Sequence, residues 1–380
     1  MDFNLSEEQT AIQDSLKRYL AKDYGFEQRR ALTRSDLGHS AEAWATYAEL
    51  GLLALPFPES AGGLGGNAID TMVISETLGT ALALEPFIPS VVIAGNLIND
   101  IGTPAQRDTL LGGITQGTLL ATLAHLEPGA RYNLKHVTTT ARKDGNGWSL
   151  SGHKAVALAA PSANKLLVSA RTSGAAFDAN GVSLFVVDAK AAGVSIRAYG
   201  TQDGQRAGEV LLKDVKVGAD ALVGAVNQAL PAIEHAIDRG IAALCAEAVG
   251  VMTTLNAQTL EYLKNRKQFG QPIGKFQALQ HRMADMAIAA EQARSMALLA
   301  AVKVDSTDVA ERRRSVSAAK AYIGQSARTV GQGAVQMHGG MGVTDELMAS
   351  HLFKRLTVIS ATFGDVDHHL GKFSDSLLAA

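Results

Sequence analysis

One cysteine in 380 residues excludes an internal disulfide. That residue, Cys245, sits inside the apolar run Ile241–Val251 and reads as a buried thiol rather than a nucleophile. An excess of one charge is also lacking: 35 Lys plus Arg stand against 37 Asp plus Glu, with no basic block, which excludes nucleic acid as a partner. Near-neutrality leaves little repulsion against association with a second chain. Aromatics are scarce at 5%, while alanine is abundant and favours helix. The opening Met1-Asp2-Phe3-Asn4-Leu5 lacks the basic segment and apolar stretch of a signal peptide, and no uninterrupted apolar run reaches membrane-spanning length. The expectation is a cytoplasmic protein without membrane contact.

The pattern along the chain is helix, then strand, then helix. Ser6-Glu7-Glu8-Gln9 is a capping box, and Ile12, Leu16, Tyr19 and Leu20 follow at helical spacing. A second helix carries Trp44, Tyr47, Ala48 and Leu50 and stops before Pro56 and Pro58. The glycine-rich stretch 59–66 is a loop, and helical periodicity returns from Ile69 to Leu84. From about residue 120 the chain turns β-rich. The stretch 137–151, with Asp144-Gly145-Asn146-Gly147 at its centre, reads as a hairpin, followed by strand-like runs Lys165–Ala170, Val182–Val187, Val194–Ala198 and Glu209–Leu212. Long alanine-rich helical segments then span about 227–265, 276–304 and 308–337, broken at Gly270-Gln271-Pro272 and Gly339-Gly340. The fold expected is α+β and mostly α: an N-terminal helical domain (1–118), a small antiparallel β-barrel or sandwich (119–222), and a C-terminal helical bundle (223–380).

Several local motifs stand on this framework. Leu50-Gly51-Leu52-Leu53-Ala54-Leu55-Pro56 is followed by Gly62-Gly63-Leu64-Gly65-Gly66; Arg266-Lys267-Gln268-Phe269-Gly270 closes one helix; Gln336-Met337-His338-Gly339-Gly340-Met341-Gly342 closes another. Together they resemble the acyl-CoA dehydrogenase family of flavoproteins along nearly the whole chain. The resemblance implies FAD as cofactor, an acyl-CoA substrate, and electron-transfer-flavoprotein-type acceptors. It assigns Arg266, Gln268, Phe269, Gln336, Gly339 and Gly340 to FAD, reaching the cofactor held mainly by a neighbouring subunit. The chemistry agrees: a guanidinium is a planar fork for pyrophosphate, an amide both donates and accepts, and glycines admit close backbone approach. Each motif alone has a plainer reading, since a glycine pair caps helices and an arginine at a helix end complements the dipole.

The chain also departs from the family. Carrying the register from Gln336 and Leu352-Phe353-Lys354-Arg355 puts Phe363 at the position of the usual glutamate base, and phenylalanine accepts no proton. The earlier-helix position used by some members falls on Gly240; Asp238, two residues before it, lies on a different face. Asp365 is the nearest carboxylate to the lost base. The family's Thr-Glu-Pro appears as Leu126-Glu127-Pro128, and its Trp-Ile-Thr-Asn as Val156-Ala157-Leu158-Ala159, removing two hydroxyls and an indole from the flavin-ring site. His368 and His369, neighbours on a helix, point about 100° apart, so no metal site is expected. His338 reads as a packing or interface residue.

Elements that reach a neighbour's FAD survive, while those that hold the chain's own flavin ring and take the proton do not. This resembles one partner of a heteromeric dehydrogenase. Arg206 with Ala207-Gly208-Glu209-Val210, and the ending Phe363-Gly364-Asp365-Val366-Asp367-His368-His369-Leu370, look like the small subunit of pimeloyl-CoA dehydrogenase. The expectation is therefore an oxidoreductase subunit that completes a sister's FAD site, acting on a dicarboxylic or bulky acyl-CoA. Two other readings stand beside it: a homomeric flavoprotein using Asp365 or Asp238 as an unconventional base, and a non-enzymatic subunit that binds acyl-CoA or scaffolds the assembly.

Overall fold

The computed structural model describes residues 5–378, so the four residues that open the chain lie outside the description. The chain divides into two compact units, one of residues Met1–Ala31, Ala68–Ala83 and Ile241–Ala380, the other of Leu32–Asn67 and Leu84–Gly240. The expected succession of helical, β and helical segments is observed.

In the first unit, α1 (Glu7–Asp23) begins at the predicted capping box, with Gln9 N–H donating to Ser6 Oγ and Gln9 Oε1 accepting from the Ser6 amide. A short α2 (Phe26–Arg34) follows. It was not foreseen because its only buried side chain is Arg29, so it has no apolar stripe to read. Arg29 is 1% exposed and donates to the Leu82 carbonyl at 2.8 Å. That anchor explains a second difference: α4 (Ala68–Thr80) stops short of the expected Leu84, the chain turning through Leu82 at φ +53°.

Three long helices and two shorter ones complete the unit. They are α8 (Leu230–Asn265, entering it at Ile241), α9 (Gln277–Lys303), α10 (Val309–His338), α11 (Met348–Ala361) and α12 (Val366–Leu378). α10 is the hub, packed against α9, α11 and α12. Val316, Ala319, Ile323, Ala327, Val330 and Ala334 recur along its buried face at helical spacing. α4 and α8 approach so closely that a Cβ on Gly250 would lie 1.9 Å from the Glu76 carbonyl oxygen, and one on Gly79 2.3 Å from that of Glu247. By length and composition α8 could cross a membrane. However, 83% of its apolar window is buried in the protein, as befits a core helix.

The second unit holds the predicted α3 (Ala41–Glu49) and short helices α5 (Asn96–Ile101), α6 (Pro104–Gln106) and α7 (Gly112–Thr115). Its sheet comprises β1 (Ala121–Ala124), β2 (Thr140–Asp144), β3 (Gly147–Leu158), β4 (Lys165–Arg171), β5 (Val182–Asp188), β6 (Val194–Gly200), β7 (Arg206–Val217) and β8 (Leu222–Val223). The strands run in the order β6-β7-β3-β2-β4-β5-β8, with β1 parallel to β4. The sheet is thus mixed rather than wholly antiparallel. β1 left no alternating signal because all four of its residues are buried. The β2–β3 hairpin turns at Gly145-Asn146 as expected. Trp148, Phe185, Leu150, Leu166 and Val210 are among the residues that fill the core over the sheet.

Candidate functional site

α8 runs out at Asn265, and the chain folds at once into a two-stranded hairpin, β9 (Lys267–Gln268) with β10 (Gln271–Pro272). Its two-residue turn needs positive φ at both positions; Gly270 (φ +78°) supplies one freely, but Phe269 (φ +55°) supplies the other at a steric cost. The strain displays the ring: Phe269 is 90% exposed, packing only edge-on against Phe276 at 6.0 Å. Arg266 and Gln268 are exposed beside it, Gln268 turning its amide back to the Lys267 carbonyl.

α10 ends nearby in the glycine turn. Gly339 (φ +59°) closes the helix, its amide donating to the Gln336 carbonyl, so the capping reading holds. Yet at both Gly339 and Gly340 an added Cβ would meet nothing within 4 Å, and Gln336 is exposed. Tyr262, one helical turn before Arg266, joins the two arms: its hydroxyl donates to the His338 carbonyl at 3.3 Å and the rings lie 4.5 Å apart. His338 is buried, one ring nitrogen meeting the Ala334 carbonyl at 2.9 Å, and burial lowers its pKa. It is the packing residue expected. The structure thus roots all six sequence-selected residues in one corner of the first unit, with their polar groups or backbone turned to solvent. Tyr262 escaped the sequence reading, although its place four residues before Arg266 on the same face was a usable signal.

The turn between α11 and α12 carries Phe363 and Asp365. Phe363 has φ +59° and Gly364 φ +125°. Asp365 Oδ1 accepts the His368 amide at 2.9 Å and so caps α12. His369 Nε2 donates to the Phe363 carbonyl at 3.1 Å while Nδ1 faces Ser317 Oγ at 3.3 Å; burial first, then the Lys320 ammonium, pushes this imidazole down to about 3. The His368 and His369 rings stand edge to face at 86°, and among the described residues no group of three His, Cys, Asp or Glu could hold a metal. Asp238 is half-buried in the part of α8 that belongs to the second unit. Cys245 is fully buried, which pushes its thiol up to about 12.

In the second unit, Glu127 and Lys154 form a wholly buried ion pair at 2.6 Å that the sequence reading did not foresee. Thr138 donates to Glu127 from its amide at 2.6 Å, and the Thr139 amide does so at 3.0 Å; Lys154 also reaches Ser169 Oγ at 3.0 Å. Burial alone would raise the Glu127 pKa, but the Lys154 ammonium and these donors outweigh it and hold the carboxyl at about 2. Lys154 is itself pushed down to about 8, by burial. The aliphatic substitutions flank this pair in sequence. Leu126 and Leu158 are half-buried, and Val156 is 45% exposed in a bulge at φ +49°, an outlier for a β-branched residue.

Sequence profiles of the acyl-CoA dehydrogenase N-terminal, middle and C-terminal domains match residues 6–118, 122–215 and 228–378. The acyl-CoA dehydrogenase FadE12 of Mycobacterium tuberculosis is 33% identical over 364 residues, 93% of each chain. The chain belongs to the acyl-CoA dehydrogenase family. Among solved structures, the steroid ACAD variant Tcur3481-Tcur3483 is 31% identical, with a TM-score of 0.87 over 98% of each chain. The FAD complex of PigA is 25% identical, with a TM-score of 0.90 over 99% of each chain.

Acyl-CoA dehydrogenases are FAD-linked oxidoreductases, and the residues present here fit that dinucleotide unequally. The exposed guanidinium, the amides of Gln268 and Gln336, and the open glycine backbone suit pyrophosphate and its sugar. The Leu126–Leu158 face does not suit a flavin ring. Its side chains offer no donor, and the Leu126 and Leu158 carbonyls already accept from the Ala155 amide (2.8 Å) and Thr122 Oγ1 (2.6 Å).

Proposed function

We propose that this acyl-CoA dehydrogenase chain is the non-catalytic partner in a heteromeric enzyme: it completes the FAD site of a sister subunit and carries no base of its own. The observation that supports the reading is the α11–α12 turn, where Phe363, the residue that the sequence register sets at the family's glutamate position, stands at φ +59°. The one carboxylate in that turn, Asp365, is engaged in capping α12, which argues against its use as a rerouted base. The solvent-facing Arg266–Phe269 hairpin and Gly339-Gly340 turn support the outward half of the role, as arms awaiting another chain's cofactor.

In the sister's site, FAD when bound supplies the hydride acceptor. This chain's contribution is to fix the dinucleotide, with Arg266 and the open backbone of Gly339 and Gly340 on the pyrophosphate, Gln268 and Gln336 on polar edges, and Phe269 packed against it. The substrate we assign is a dicarboxylic or bulky acyl-CoA; the steroid ACAD relative keeps company with a bulky one. Likeness to the small subunit of pimeloyl-CoA dehydrogenase, the domain limits 1–118, 119–222 and 223–380, a cytoplasmic location and an electron-transfer-flavoprotein-type acceptor belong to the same proposal.

The test is co-expression with the sister subunit that retains the glutamate base, followed by flavin stoichiometry and dye reduction with acyl-CoA. One FAD per heteromeric pair, with activity absent from this chain alone, is the expected result. A stoichiometrically yellow, active lone chain would overturn the proposal.

A further inference from the structure

The turn holding Phe363 is built with more care than a connection lacking a catalytic residue needs. A bulky side chain at φ +59° followed by a glycine at φ +125° is a strained backbone, and such strain persists only where its surroundings impose it. Here the imposing group is Lys320, from the middle of α10 and only 1% exposed. Its ammonium donates to the carbonyls of Ile359 at 2.9 Å, Ser360 at 3.0 Å and Gly364 at 2.8 Å. The first two are carbonyls in the last turn of α11, where the regular helical ladder runs out; that of Ile359 also accepts the Thr362 amide at 3.2 Å. The third lies beyond Phe363. One nitrogen therefore ties the end of the helix to the far side of the turn, and the chain must reverse between them. His369 closes the other side through the Phe363 carbonyl, and a Cβ on Gly364 would lie 2.4 Å from its Nε2.

Stability alone does not call for a lysine there. A buried charge is expensive, and an aliphatic side chain of similar volume is commonly as stable or more so. What an aliphatic chain cannot do is hold three carbonyls around one point.

We propose that Lys320 is a positioning residue: by gathering the Ile359, Ser360 and Gly364 carbonyls it fixes the left-handed backbone at residue 363 and so the direction in which that side chain leaves the turn. The catalytic meaning of that direction rests on residue 363 occupying the family's base position, but the geometry and its test do not. It follows that this chain keeps the mounting for a base and presents a phenylalanine on it.

The cage carries its own signature. The titratable groups that act on the ammonium are Cys245 of α8 and Asp365, and the neighbouring imidazoles of α12 are His368 and His369. Burial pushes both imidazoles below the usual histidine value and the thiol up to about 12, while it brings Lys320 down to about 8. As the pH rises through about 8 the ammonium becomes an amine, with two N–H groups for three carbonyls, and the turn loosens.

The full-length Phe363→Cys chain tests this, because Cys245 is buried and a nitroxide reagent will label position 363 alone. At pH 7 the label's electron-spin-resonance spectrum should be immobilised. Lys320→Met should convert it to a mobile spectrum while a label at Ser374→Cys, on the exposed face of α12, is unchanged. Between pH 7 and 9 the Phe363→Cys label alone should loosen with a midpoint near 8, and Lys320→Met should remove that midpoint. An immobile label in Lys320→Met, or a midpoint that survives the substitution, overturns the proposal. Should Lys320→Met not fold, the pH series on Phe363→Cys decides alone: a spectrum constant from pH 7 to 9 refutes it. None of these outcomes depends on flavin stoichiometry, so the heteromer proposal stands or falls separately.

Discussion

Replacing Lys154 by methionine is the most direct probe of the second unit. Lys154 and Glu127 are both 0% exposed in their side chains, so the substitution leaves a carboxylate buried with only the Thr138 and Thr139 donors. Breaking a buried pair from one side costs about 3–5 kcal/mol, a large share of the roughly 5–15 kcal/mol that holds a domain folded. For a unit of this size that corresponds to a fall in melting temperature of about 6–20 °C. The two tryptophans, Trp44 and Trp148, both lie in this unit, so their fluorescence follows its unfolding. The pH dependence gives the sharper discrimination. Glu127 has a folded pKa of about 2, below its ordinary 4.5; its contribution is therefore fully present above 4.5 and fades as the pH falls toward 2. Without Lys154 the sign reverses: burial dominates, the carboxyl pKa rises, and protonation relieves the variant. The stability gap between parent and Lys154→Met should narrow as the pH falls from 7 to 4, and Lys154→Met/Glu127→Gln should recover part of the loss at pH 7. A gap that is small at pH 7, or that stays constant down to pH 4, would refute the buried-charge argument.

Phe363→Glu alone should leave the lone chain inactive in dye reduction, because the Leu126 and Leu158 face still offers a flavin ring no donor; vigorous turnover would show that face to be competent. In the assembled heteromer, Arg266→Ala should weaken FAD retention about ten- to hundredfold, the equivalent of a charge-assisted contact of about 1.5–3 kcal/mol, while Asp238→Ala should not. Flavin fluorescence on dilution measures both, and an unchanged dissociation constant for Arg266→Ala returns that residue to a helix-terminal cation. Gly250→Ala should cost about 1–3 kcal/mol or more in thermal unfolding, since its methyl would meet the Glu76 carbonyl, whereas Gly340→Ala, open on all sides, should not change the melt.

The parts of this molecule that sequence made legible are those with period or punctuation. The capping box at Ser6, the glycine-bearing hairpin after Asp144 and the three alanine-rich helices repeat or interrupt a pattern that one-dimensional inspection detects. α2 and β1 escaped because the first buries an arginine instead of a stripe and the second buries every residue, so neither has a contrast to detect.

The candidate site divides along the same line. Arg266, Phe269 and Gly339 lie in short contiguous motifs, and the resemblance could select them. Lys320 and Lys154 act through partners distant in the chain, 39 residues to Ile359 in one case and 27 to Glu127 in the other. The trace each leaves in the sequence is a lysine on an otherwise buried face, as at Ala318-Ala319-Lys320-Ala321. Such a residue must either be paired or lose its charge, so a lysine that interrupts an apolar stripe already implies acceptors elsewhere. The sequence could state that need without naming who meets it. In this chain the acceptors are the buried Glu127 carboxylate for Lys154 and three carbonyls around the Phe363 turn for Lys320.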